Sequence, residues 1–364
     1  MLMENVLSHN SGGRNFVQDI HYWKRRSEVH LKDNQNSVQY RQKMIEELRD
    51  FISFDAYCCT MTDTQTLFSI GAVTEQSIED IHQQIMSLEY DSQDINSYVY
   101  LVESGKYIGK LSDVSSQSKR YREVLEPHGF SDEIRAALMF QGQCYGFLTL
   151  FKRIDNGQPH FQDADVNQVK ILMPVMAEAL MGFYHTIIDE RLFIEEEQSG
   201  IIILDEEHHI ISTNTKAAQL LTLLRNNEGL LDWQIPKPIQ AFCAKLQANK
   251  LNSQYSLLVP INNKGYVTVQ ASVLMTADSQ QQIAILLNEA SPKEMLPYLL
   301  IAYHLTPREK EVVVEVMKGI PTKIIAQNLG ISSYTVQDHL KLIFQKVDVA
   351  DRNELVWKLF TRFN

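Results

Sequence analysis

No stretch of this 364-residue chain approaches the roughly 18 consecutive apolar residues that a membrane-spanning helix needs. The opening MLMENVLSHNSGGRN also lacks a basic segment followed by an apolar core. A cytosolic protein without membrane contact is therefore expected. Cysteine is scarce: Cys58, Cys59, Cys144 and Cys243 show no C-x-x-C spacing and none lies near a histidine at zinc-site spacing, so no metal is assigned. Cys58 and Cys59 sit in an apolar, strand-like run and read as buried thiols. A glycine-rich phosphate loop, a serine nucleophile elbow and a His-Glu metal helix are all missing. No catalytic residue or cofactor is assigned, and an enzyme is not expected. His208-His209 and Asp205 read as solvated residues of one polar turn, and Glu195, Glu196 and Glu197 as a solvated helix end.

What the chain does have is an uneven charge. The formal net charge is −11, but residues 303–364 hold nine Lys/Arg against seven Asp/Glu, which leaves 25 against 38 upstream. The last sixty residues thus carry a small net positive charge beside a strongly acidic remainder, and a polyanion would not repel them. Hydrophobic residues make up 44% and charged residues 22%, a globular composition without low-complexity tracts. The length suggests two or three domains.

The pattern along the chain separates these domains. Residues 16–50 have helical spacing, with Met44, Ile45 and Leu48 as examples. FDAYCCTMT and TLFSIGAV then suggest a hairpin, residues 77–125 look mainly helical and polar, and IRAALMF and CYGFLTLFKR flank a second hairpin turn at Gln141-Gly142-Gln143. This is an α+β sheet domain. From Asp163 to about Gln198 a long helix is expected, through Pro174, and its stripe of Val166, Val169, Leu172, Val175, Met176, Leu180 and Phe183 fits either a second subunit or a well-packed monomer. Five further strands follow: IIIL, HIIS, SLLVPI, YVTVQASVL and QIAILLN. Asn214 or Thr213 caps a helix near Thr215, and Ser291-Pro292 marks the break into a linker.

The segment LTPREKEVVVEVMKGI opens the last domain, with Thr306 as cap, Pro307 in the first turn and Glu309 completing a capping box. A short helix runs from Lys323 to Leu329, Gly330 supplies a turn, and Ser332 caps a third helix. There Val336, Leu340, Ile343, Phe344 and Val347 form an inner stripe, which leaves Tyr334, Gln337, Asp338, Lys341 and Gln345 facing outward. Glutamine can bond adenine at two points, lysine can donate to guanine, and aspartate can accept from the cytosine amino group. Each good bidentate contact discriminates by about 1–3 kcal/mol. Ser333, Tyr334, Thr335, Lys323 and Lys346 are candidates for the phosphate backbone. Leu355, Leu359 and Phe360 on a last helix form an apolar ridge suited to dimer contact.

LTPREKEV, KIIAQNLGISSYTVQDHLKLIFQKV and RNELV together resemble the LuxR-type (GerE-like) helix-turn-helix family over about 60 residues. That resemblance implies that the 333–347 helix enters the major groove and that Gln337, Asp338 and Lys341 contact bases. Asp338 departs from the family pattern, whose residue there is more often neutral or basic, so non-specific affinity should be low. FDAYCCTMTDTQTLFSIGAVTE, SKRYREVLEPHGFSDEIRAAL and CYGFLTLFKR are similar to GAF domains, and GIIILDEEHHIISTNTKAAQLL resembles the start of a PAS domain. The implied architecture is a GAF-like α+β domain (15–195), a PAS-like α+β domain (196–291), a linker (292–302) and an all-α four-helix DNA-binding domain (303–364). The resemblance implies a homodimeric regulator that binds double-stranded DNA, with a small-molecule ligand in a GAF-like or PAS-like pocket or with sensory modules that only dimerise. The competing reading is a ligand-binding or protein-interaction module whose helix-turn-helix serves mainly to dimerise. The motif of cyclic-nucleotide GAF domains is missing, and the parallel α/β pattern of a phosphorylated receiver is not seen.

Overall fold

The computed structural model describes residues 13–33, 36–89, 94–155, 157–186, 199–247, 256–261, 265–276 and 280–361. They divide into two compact units, one holding both sheets and one holding the helices after Glu289.

In the first unit, helices α1 (Gly13–Asp33) and α2 (Ser37–Leu48) lead into strands β1 (Ala56–Thr62) and β2 (Ser69–Thr74). Asn36 starts α2 by accepting from the Gln39 N–H at 2.9 Å. Three short helices follow, α3 (Gln76–Glu79), α4 (His82–Glu89) and α5 (Tyr98–Glu103), then β3 (Ile108–Lys110), β4 (Phe130–Phe140), β5 (Gln143–Arg153) and the long helix α6 (Asp163–Thr186). The strand order is β2-β1-β5-β4-β3, with the expected hairpins β1/β2 and β4/β5 both antiparallel. Cys58 and Cys59 are buried in β1, where burial pushes their thiols up to about 12 and about 11.

The sheet departs from the sequence reading at β4, which begins at Phe130 and buries Asp132, Glu133 and Arg135 almost completely. Strand propensity argues against such a start, but each charge has a partner. Asp132 accepts from the backbone N–H groups of Ser112 and Phe161 at 2.8 and 2.9 Å. Arg120 donates to Asp94 at 2.8 Å and pairs with Glu133, while Arg135 pairs with Glu89. Arg135 also lies 4.0 Å over the ring of Tyr98, which stacks on Phe147 at 3.9 Å. The described part of residues 77–125 is mainly helical, as expected, but it is broken into short pieces around one strand, and these pieces deliver counter-ions to the sheet. These ion pairs sit beside a buried apolar cluster between the sheet and the covering segment, which includes Cys58, Ile78, Ile85, Leu125 and Phe151.

Helix α6 passes through Pro174 without a break. Val169, Leu172, Met176 and Leu180 are fully buried, but so are Ala177 and Ala179 on other sides of the helix. The chain itself buries most of the apolar stripe of α6, while Asn167, Lys170 and Glu178 on the opposite side stay exposed. It closes on the sheet at Gly146, where an added Cβ would lie 2.2 Å from the Thr60 carbonyl oxygen and 3.1 Å from Leu180 Cδ1.

The second sheet comprises β6 (Gly200–Leu204), β7 (Ile210–Thr213), β8 (Ser256–Ile261), β9 (Gly265–Met275) and β10 (Gln281–Glu289), with helices α7 (Thr215–Glu228) and α8 (Lys237–Gln247) inserted after β7. Its order, β7-β6-β10-β9-β8, repeats that of the first sheet, strand for strand. Asn214, one of the two proposed caps, starts α7 by accepting from Ala217 N–H. Both helices lie against β2. The junction is polar at its centre: Lys237 bridges both oxygens of Glu79 at 2.7–2.9 Å, and His82 contacts Gln240 at 3.0 Å. His208 belongs to this junction. It is buried and meets Gln83 at 3.1 Å, so only His209 remains the solvated turn residue expected for both.

Glu228 sits beside this cluster. The residue is half-buried, but its carboxylate is sealed: one oxygen accepts from Lys237 N–H at 3.0 Å and the other has no hydrogen-bond partner. Burial pushes the carboxyl up to about 7, against the pull of Lys237. A raised folded-state pKa means that the stability linked to this proton is present below the unfolded value of 4.5 and lost as pH rises through 7. Glu228→Gln is expected to stabilise the chain by about 1–2 kcal/mol at pH 8 and by little at pH 4.5. Urea midpoints at the two pH values check this, and an equal shift at both would exclude a buried titration.

Candidate nucleic-acid interface

The second unit contains α9 (Pro292–Ala302), α10 (Pro307–Met317), α11 (Thr322–Leu329), α12 (Ser333–Val347) and α13 (Arg352–Thr361). The interval expected as a linker is helix α9, because Ser291 and Glu294 form a capping box and Pro292 occupies the first turn. The Thr306–Glu309 capping box starts α10 as the sequence predicts. Gly330 adopts φ +65°, a left-handed conformation that ends α11 without the cost a side chain would impose. Ser332 then caps α12 by accepting from Thr335 N–H at 3.0 Å.

The packing of α12 is two-sided. Val336, Leu340, Ile343 and Val347 are buried, with Phe344 half-buried beside them, and α10, α11 and α13 pack around α12. Tyr334, Gln337, Asp338, Lys341 and Gln345 are all exposed, with Tyr334 at 81%. Lys323, in the first turn of α11, and Ser333, the first residue of α12, are exposed. Thr335 is exposed as well, although its N–H and its hydroxyl are engaged by the cap.

Two expectations are corrected here. Lys346 does not offer a free ammonium to a phosphate: its Nζ donates to Glu309 at 2.6 Å and to the His304 carbonyl at 3.2 Å, clamping α12 to the start of α10. Burial pushes the Glu309 carboxyl up, but the bonds from Lys346 and Thr306 prevail and hold it below the usual range. Leu355 and Leu359 do not form a dimer ridge, since they are 0% and 1% exposed. A ten-residue helix has one apolar stripe, and the domain's own core takes it; the side chain of Phe360 lies outside the described residues. The large apolar residue that α13 does expose is Trp357, at 65%, beside a 550 Å³ groove lined by Val316, Met317 and Val356.

Sequence reading also missed how the turn is held. Arg308 donates to the Leu329 carbonyl at the end of α11 and pairs with Glu311, while Asn328 donates to Glu315 at 2.6 Å. The Arg308–Leu329 and Asn328–Glu315 contacts join residues 21 and 13 positions apart, and local periodicity carries no signal for them. Away from this unit, Asp205, Glu207 and His209 bring ligand-type atoms within 4.8 Å of one another on an exposed turn. The turn's own bonds, His209 N–H to Asp205 at 2.7 Å among them, account for that arrangement.

A capped helix, a left-handed glycine turn and a second helix with a polar outer face define a helix-turn-helix domain. Residues 303–359 match the family of GerE, bacterial regulatory proteins of the luxR family. The Monoamine regulon transcriptional regulator of Klebsiella aerogenes is 48% identical over 52 residues, 14% of this chain and 23% of that protein. The transcriptional regulatory protein DesR of Bacillus subtilis is 46% identical over 52 residues, 14% of this chain and 26% of that protein. The nitrate/nitrite response regulator protein NarL of Escherichia coli is 39% identical over 54 residues, 15% of this chain and 25% of that protein. The chain thus spans about a quarter of the length of these relatives. Among solved structures, Escherichia coli SdiA aligns over 93% of this chain and 95% of its own at 13% identity, with a TM-score of 0.36. A VqmA–ligand–DNA complex from Vibrio cholera aligns over 46% of this chain and 85% of its own at 17% identity, with a TM-score of 0.24. Among the described residues no helix is long and apolar enough to cross a membrane.

Proposed function

We propose that this chain is a homodimeric, sequence-specific regulator of transcription that binds double-stranded DNA through α12. The observation that carries the reading is the two-sided character of that helix: its apolar stripe is consumed by the domain core, while a continuous polar stripe stays exposed. Gln337, Asp338 and Lys341 then read bases, and Lys323, Ser333, Tyr334 and Thr335 lie along the phosphates. The acidic bulk upstream keeps the chain off random DNA, so that affinity depends on a true site.

The first sheet region acts as a GAF-like module and the second as a PAS-like one, a reading supported by their shared strand order. They sense an input and bias the placement of the two DNA-binding units. The dimer contact in the DNA-binding unit falls on Trp357 and the groove beside it.

Selection from a random duplex pool tests the reading. Two related half-sites about one helical turn apart are expected. A pool that shows no enrichment over its starting composition would reject it. Trp357→Arg is expected to weaken binding to the two-site duplex about tenfold while leaving an isolated half-site unchanged. Equal loss on both duplexes would place Trp357 outside the dimer contact.

A further inference from the structure

The outer face of α12 carries one side chain that does not fit a polar surface. Leu342 is 48% exposed, although the helix's other aliphatic residues, Val336, Leu340, Ile343 and Val347, are buried. It lies six positions after Val336, about 240° around the helix from the core stripe. It also lies four positions after Asp338, hence on the same side and one turn further on. About half of its surface is open, and the residues one turn away on its side of the helix, Asp338, His339, Gln345 and Lys346, are polar or charged.

We propose that Leu342 is a specificity-determining residue that packs against the 5-methyl group of a thymine. This rests on the DNA-binding reading above. The major-groove edges of the four bases present donors and acceptors, and the thymine methyl is the apolar group among them. Asp338 fixes where that thymine lies. Its carboxylate is exposed, is used by none of the described ion pairs, and can only accept, so it favours the cytosine or adenine amino group and opposes edges that offer only acceptors. One helical turn rises about 5.4 Å, between one and two base steps of about 3.4 Å. The thymine read by Leu342 therefore falls within two base pairs of the position read by Asp338.

The test uses the full chain and its selected operator, in which each thymine is replaced in turn by uracil. Uracil keeps the pairing edge and removes only the methyl. At one thymine per half-site the unaltered protein should bind about fourfold more weakly, the loss expected for one buried methyl, and about fifteenfold more weakly when both half-sites are changed. Leu342→Ala should bind the thymine and uracil duplexes equally, and Leu342→Met should retain the preference. The position lost with Leu342→Ala should lie within two base pairs of the one whose preference changes in Asp338→Asn. If Leu342→Ala weakens both duplexes to the same extent, or keeps the full thymine preference, the inference is wrong while the DNA-binding reading stands. If no operator can be selected, the DNA-binding reading itself has failed, and the inference falls with it.

Discussion

Alanine at both Gln337 and Lys341 is expected to lower affinity for the selected operator by a hundredfold or more, with secondary structure and thermal midpoint unchanged. Both side chains are exposed on α12, and neither belongs to the buried stripe of Val336, Leu340, Ile343 and Val347. Alanine is also the strongest helix former, so the helix itself should not suffer. A good bidentate contact to a base is worth about 1–3 kcal/mol, and the two losses should add approximately. Fluorescence anisotropy at one fixed salt concentration is the measurement, because a difference in ionic strength alone can shift such affinities by orders of magnitude. Unchanged affinity in a folded double variant would remove α12 from the groove.

Arg120→Met should destabilise the first unit by about 3–5 kcal/mol, the usual result of leaving one half of a buried ion pair behind. Arg120, Asp94 and Glu133 have side chains that are 0%, 0% and 2% exposed. Asp94 would keep the backbone N–H groups of Lys119 and Arg120, so most of the penalty falls on Glu133. Thermal unfolding should show a midpoint lowered by about 10 °C for a unit of this size, and the urea midpoint should fall with it. The double change Arg120→Met with Glu133→Met should recover part of the loss, since an apolar pair of similar volume needs no counter-ion. A loss below about 1 kcal/mol in the single variant would show that water reaches this cluster.

The parts of the fold that could be read from the sequence are those whose signal is local. The Thr306–Glu309 capping box, the left-handed Gly330, the Ser332 cap and the stripe from Val336 to Val347 each depend on residues within a turn or two of one another. Both hairpins of the first sheet and all five strands of the second were legible for the same reason. The start of β4 was not, because Ser131, Asp132 and Glu133 form a strand only where Arg120, Ser112 and Phe161 arrive from elsewhere to pair with them. The burial of His208 likewise depends on Gln83, 125 residues away.

Within the candidate site the division is similar. The sequence by itself determined which face of α12 is polar, since a helical repeat assigns faces without reference to any neighbour. Only the tertiary structure decided the fate of Lys346, Leu355 and Leu359, because whether a cation is free or an apolar ridge is exposed depends on what the rest of the chain packs against it. Lys346 finds Glu309, and the two leucines find the domain core, through contacts that no local pattern encodes.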